Sequence, residues 1–184
     1  MKKRKIIAAV VLGLGLSLAT TSLPTPQPVQ AEPVRVQAEV VTTWNVPLET
    51  DLQLYIASLC AGYHIEPALV LAMIEVESQY NVLAVGDNGN SKGAMQIQKR
   101  WHEERMDKLG VYDLLDPYQN VQVGIDYIAE QLGQGKGVEW ALTAYNGGNA
   151  RANRIAEYGG ISEYAYKVLA AKDRIEKVSD LLGQ

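Results

Sequence analysis

Glu77 is the carboxyl with the greatest chemical promise in this chain. It closes an apolar run, Pro67-Ala68-Leu69-Val70-Leu71-Ala72-Met73-Ile74-Glu75-Val76-Glu77-Ser78, after which Gln79-Tyr80-Asn81 breaks the pattern. Residues three and four apart share a helix face, so Glu77 lies on one stripe with Leu69, Val70, Met73 and Ile74. A carboxyl on an apolar stripe loses hydration, which disfavours its charged form and lifts its pKa above the usual ~4.3. Raised to the region of ~6, it holds a proton near neutrality and can deliver it, as a general acid must. A Glu at a fraying helix end that simply reaches into water has the same sequence position. Position alone leaves both readings open.

Other residues carry chemistry of a different kind. Asp87 is the best candidate for a second carboxylate, as an inverting hydrolase needs, but an Asp beside Asn88 and Gly89 is also an ordinary turn former. Glu75, two positions from Glu77, falls on another helix face and reads as solvated. His64, His102 and Cys60 lack metal-ligand spacing, so no metal and no cofactor is expected. The lone cysteine cannot form an internal disulfide and reads as a small buried hydrophobe. Trp44, Trp101 and Trp140 are able to stack on sugars, though Trp140 opens an apolar segment and suits a core.

The elements that must position these groups are helical. Thr50 or Asp51 caps a first helix carrying Leu52, Tyr55, Ile56, Leu59 and Cys60, with Gly62 as its stop. Pro67 takes the first-turn place proline prefers, and the second helix ends near Ser78. Residues 81–93 hold Gly86, Asp87, Asn88, Gly89, Asn90 and Gly93, a turn-rich loop with room for a short hairpin. A polar helix follows over Gln98 to Leu109, stopped by Gly110. Asp116-Pro117 opens a fourth, and Val138 to Tyr145 forms a short apolar one. Ser162 caps the last, which carries Ala165, Val168, Leu169 and Ile175. No βαβ spacing and no internal repeat is present, so the fold class is mostly α with at most one small β-hairpin.

Three blocks, Glu77-Ser78-Gln79-Tyr80-Asn81, Gly93-Ala94-Met95-Gln96-Ile97 and Ala144-Tyr145-Asn146-Gly147-Gly148, with Tyr164-Ala165-Tyr166-Lys167-Val168 beyond them, occur in that order. Together they resemble the lytic transglycosylase catalytic domain of the soluble-lytic-transglycosylase type, a relative of goose-type lysozyme, over about Leu52 to Ala171. The resemblance implies a lysozyme-like helical domain that cleaves the bond between N-acetylmuramic acid and N-acetylglucosamine in peptidoglycan. It makes Glu77 the sole catalytic carboxyl. Glu77 would protonate the glycosidic oxygen, then take the proton of the muramoyl C6 hydroxyl as that oxygen attacks C1 and closes a 1,6-anhydro ring. The same blocks imply substrate-binding roles for Ser78, Gly93, Met95, Gln96, Tyr145, Asn146 and Tyr164. Read from the residues alone, Ser78 equally suits a bond to its own backbone and Met95 suits core filler. An acidic residue usual before the final Tyr is missing at Gly160, with Glu163 adjacent to Tyr164 instead.

The rest of the chain bounds the setting. Lys2-Lys3-Arg4-Lys5, the apolar run Ile6 to Ala19, and small residues at Val29-Gln30-Ala31 read as a secretory signal over residues 1–31. The apolar run is shorter than the ~20 residues a spanning helix needs, so the membrane is met only through that segment. Residues 32–47 read as a linker and 48–184 as one domain. Removing the four basic residues of the head from 17 leaves 13 against 21 acidic ones, a net of −8. That balance excludes nucleic acid as a partner, since phosphate neutralisation needs basic clusters. The expectation is an exported monomer, secreted or associated with cell wall or periplasm, whose partner is the glycan strand of peptidoglycan. A secretion or conjugation machine is a further partner open to it. A lysozyme-type hydrolase (muramidase) of the same fold, a non-catalytic wall-binding module and action on chitin remain alternatives.

Overall fold

The computed structural model describes residues 43–182. The signal segment expected over residues 1–31, and residues 32–42 of the expected linker, lie outside the described residues. The compact unit begins at Thr43, so the end of that linker belongs to the domain. The cause is Gln53, whose buried amide accepts from the Trp44 N–H at 2.8 Å and donates to the Leu48 carbonyl at 2.9 Å. Trp44, Val46 and Leu48 pack on the core behind it.

The elements run α1 (Thr50–Tyr63), α2 (Pro67–Ser78), β1 (Val85–Gly86), a 3₁₀ turn (Asp87–Gly89), β2 (Ser91–Lys92), β3 (Ile97–Gln98), α3 (Lys99–Leu109), α4 (Pro117–Leu132), α5 (Val138–Glu157) and α6 (Glu163–Leu182). The three short strands form one antiparallel sheet in sequence order, with Val85 opposite Lys92 and Ser91 opposite Gln98. The expected hairpin is therefore present as β1–β2 and gains a third strand. Among the described residues no helix is long and apolar enough to cross a membrane.

Capping follows residue chemistry where polar groups supply it. Asp116 accepts from the Tyr118 and Gln119 N–H groups at 2.9 and 3.0 Å and so satisfies two orphan donors of α4. Ser162 does the same for Ala165 at the start of α6. Two boundaries differ from expectation. Gly62 stays inside α1, and His64 instead takes the left-handed cap at φ 56°. The short helix from Val138 continues past Tyr145 after a bend at Gly148, where φ 80° and ψ 162° are open only to glycine at little strain.

α2 is the central element. Ala68 to Ile74 are buried in sequence on every face, as expected of a helix surrounded by others. It packs most extensively along α6, while α4 bridges α1, α3 and α5. Glu75 is not merely solvated: it accepts from the Tyr80 hydroxyl at 3.1 Å and pairs with Arg174 of α6. Cys60 is fully buried, and burial pushes its thiol up to about 12, so it stays protonated.

Candidate active site

The last turn of α2 delivers Glu77 to the floor of a cleft of about 760 Å³. Gln79 and Tyr80, at φ 54° and 66°, turn the chain sharply just beyond it, so Glu77 is the last α2 side chain on that stripe. The carboxyl is half-buried and accepts a hydrogen bond from the Tyr164 hydroxyl at 2.7 Å. Its pKa is raised to about 7. Burial is the main cause and the Asp87 charge adds to it, while the Tyr164 bond favours the charged form and opposes both. Of the two readings that position left open, the structure has the desolvated carboxyl rather than one reaching into water.

An aromatic column leads away from the carboxyl. The Tyr164 and Tyr145 rings stack at 6.4 Å, Tyr145 meets Tyr127 at 4.9 Å, and Tyr127 meets His102 edge-on at 4.5 Å. Tyr145 is anchored by its hydroxyl, which donates to the Met95 carbonyl at 2.9 Å. Burial, followed by the Glu77 charge, raises the Tyr145 and Tyr164 phenols well above their ordinary value, so both remain hydrogen-bond donors.

The sheet forms the facing wall. Asp87 sits at φ 47° in the β1–β2 turn and accepts from the Ser91 hydroxyl at 2.5 Å and from the Gln98 amide at 2.9 Å. Gln96, at the strained φ of 48°, is held by amide bonds to the Gly93 and Ala84 carbonyls at 2.9 and 3.3 Å. These restraints set both side chains on the cleft lining with Tyr145, Asn146, Gly147 and Gly148.

Of the residues singled out in the sequence, Glu77, Gln96, Tyr145 and Asn146 line the cleft, and Tyr164 reaches it through Glu77. Three take other places. Met95 is 0% exposed, its thioether lying against Gly124, so its side chain belongs to the core and only its carbonyl serves the site. Gly93 is glycine for an internal reason: at φ 73° a Cβ would come within 2.3 Å of the Asn120 amide. Ser78 donates to the Ile74 carbonyl of its own helix at 3.1 Å.

Trp101, His102 and Tyr127 also line the cleft; the sequence singles out His102 only as a rejected metal ligand and Tyr127 not at all. Asn120 was missed as well; it is 0% exposed and bonds the Met95 N–H and the Lys92 and Leu114 carbonyls at 2.8 to 2.9 Å. A polar Asn at the buried register of α4, between Pro117 and Val121, was the available signal for it.

Residues 55–167, more than half of the chain, match the family described as the Transglycosylase SLT domain. A transglycosylase of Enterobacteria phage PRD1 is 33% identical over 98 residues, which are 53% of this chain and 35% of the phage protein. The chain thus spans about a third of that relative's length. Two solved structures share the fold. The 70 kDa soluble lytic transglycosylase SLT70 of Escherichia coli has a TM-score of 0.56 and 22% identity, over 64% of this chain and 23% of that one. An inactive mutant of lytic transglycosylase Slt from Pseudomonas aeruginosa has a TM-score of 0.50 and 19% identity, over 68% and 21%.

Proposed function

The chain belongs to the transglycosylase SLT domain family, and from that premise we propose that it is an exported peptidoglycan lytic transglycosylase. The observation that carries this reading is Glu77, a carboxyl with its pKa near 7 at the floor of a sugar-sized cleft, hydrogen-bonded to a phenol. Protonated Glu77 donates to the glycosidic oxygen between N-acetylmuramic acid and N-acetylglucosamine. As the C1–O bond breaks, positive charge develops at the ring, and the carboxylate left behind faces it. That carboxylate then takes the C6 hydroxyl proton while the C6 oxygen bonds C1, giving a 1,6-anhydro end and consuming no water. One group acts as acid and then base, the exchange of roles that retaining glycosidases use.

Gln96, Tyr145 and Asn146 grip the glycan from the two walls, while Met95 and Gly93 shape the strand behind them. Residues 1–31 serve as the export signal and 48–184 as the catalytic domain, with residues 43–47 packed on it. Mass spectrometry of fragments released from purified peptidoglycan tests the reaction. Products lighter by one water than reducing-end muropeptides support it, and reducing ends overturn it.

Tyr164→Phe removes the bond that favours the charged carboxyl. The Glu77 pKa should then move above about 7, and the alkaline limb of the kcat/KM profile should move up with it. An unmoved limb would show that the phenol does not act on the carboxyl.

A muramidase reading has one observation in its favour. Asp87 is pinned by Ser91 and Gln98 on the cleft wall and is close enough for its charge to raise the Glu77 pKa. If Asp87 held an attacking water, Asp87→Asn would lower the rate ~10²-fold or more, the scale of a general base. The expected outcome is a loss below about tenfold with anhydro products retained.

A further inference from the structure

His102 closes the first turn of α3, is 8% exposed and lines the cleft. Arg105, one turn along, has an Nη1 3.0 Å from His102 Nδ1. A guanidinium has five donors and no acceptor, so Nδ1 must accept and carries no proton. The ring proton of neutral His102 is therefore on Nε2. Arg105 cannot turn away to release this arrangement, because its other nitrogens are held by Asp126 at 2.6 Å and by Glu130, and its plane lies over Tyr127. Burial and then the neighbouring Arg105 charge lower the His102 pKa to about 4, so the ring stays neutral across the working range.

Nε2 has no protein partner. Among the described residues only Gln131 Oε1 is a sealed side-chain polar atom lacking one, so Nε2–H is not closed off in the core, and the cleft is the cavity that His102 lines. Beside it on the cleft lining stands Trp101, 70% exposed, with the Arg100 guanidinium 4.9 Å over one face of its ring and the other available to a sugar. A donor that cannot become an acceptor selects for a strong acceptor, and in an N-acetylated sugar the strongest neutral acceptor is the acetamido carbonyl. The adjoining indole suits the acetamido methyl and the sugar face.

We propose that His102 is a substrate-binding residue whose Nε2–H, fixed as a donor by Arg105, takes the acetamido carbonyl of an N-acetylated sugar on the α3 side of the cleft. The inference rests on the reading of the cleft as a glycan site, and its test separates the two. The Glu77→Gln protein, which binds without turnover, is labelled with ¹⁵N in its histidines and titrated with the β-1,4 N-acetylglucosamine tetrasaccharide carrying ¹³C acetamido carbonyls. The free protein should show the Nε2–H tautomer, and binding should shift both the Nε2–H signal and one carbonyl signal. His102→Phe in the same background should weaken binding about tenfold and abolish that carbonyl shift, and His102→Gln, which keeps a donor, should recover part of both. Unchanged thermal unfolding separates this loss from a general loosening. An Nδ1–H tautomer, or equal affinity in His102→Phe, overturns the assignment of His102 alone. Failure of the His102-intact protein to bind the tetrasaccharide overturns the glycan reading with it.

Discussion

Glu77→Gln should reduce release of soluble fragments from purified peptidoglycan by about a thousandfold or more, the upper range of general acid–base contributions, since in the proposed mechanism one group performs both proton transfers. The amide fills the same space and its oxygen can still accept from Tyr164, so the fold should survive intact. A rate near that of the unaltered protein would rule out the mechanism. The same variant carries a second expectation, of opposite sign. A carboxyl whose pKa is about 7 when folded and about 4.5 when unfolded stabilises the fold only while protonated. Its contribution is fully present below pH 4.5 and is lost as pH rises through 7, a swing on the order of 3 kcal/mol. Glu77→Gln is neutral at every pH. It should therefore unfold at a higher temperature than the unaltered protein at pH 8 and at a similar one at pH 4. Equal unfolding temperatures at pH 8 would mean that the carboxyl is not desolvated. The charged form of Glu77 is one the fold tolerates poorly, which is the expected cost of placing an acid on the end of a buried helix.

Asn120→Leu should lower stability by about 3–5 kcal/mol, among the largest effects open to a single substitution. Leucine has nearly the shape of asparagine, so no cavity accounts for the loss. What is lost is the partner of three buried backbone groups: the Met95 N–H and the Lys92 and Leu114 carbonyls. Two of those groups lie in the segment that carries β2 into the Gly93–Ile97 turn. The Met95 peptide also receives the Tyr145 hydroxyl. Freed from Asn120, that turn should let Tyr145 and Gln96 drift, and kcat should fall with stability. Urea unfolding monitored at several substitutions separates the effects. A loss below 1 kcal/mol would mean that water or a rearranged backbone replaces the amide.

Much of this arrangement was legible along the chain because its causes are local. The apolar run from Pro67 to Ile74 marks a surrounded helix whatever its partners are, and Pro67, Asp116 and Ser162 mark helix starts by chemistry that acts within one turn. Glu77 stood out for the same reason, as a charge on an apolar stripe. The places of Met95 and Gly93 are not legible along the chain because their surroundings come from elsewhere, whereas Ser78 takes the local bond its own helix offers. Whether a methionine beside a glutamine faces substrate or Gly124 depends on where α4 crosses behind the strand, and nothing within five residues records it. The resemblance implies a substrate-binding role for Gly93, whereas the group that comes closest to it is the Asn120 amide, 27 residues on.

By itself, then, the sequence determined the helical class and the order of the helices, and marked Glu77 as a carboxyl on an apolar stripe, because helical period and capping are properties of neighbours in the chain. Only the tertiary structure decided the company that carboxyl keeps. It brought Tyr164 across 87 residues to within 2.7 Å of Glu77, stacked Tyr145 and Tyr127 behind it, and set Arg105 against His102 Nδ1, which must accept from it. Hydrogen bonds and ring contacts of this kind depend on distances of a few tenths of an ångström between separate elements. Such distances are set by how the helices pack.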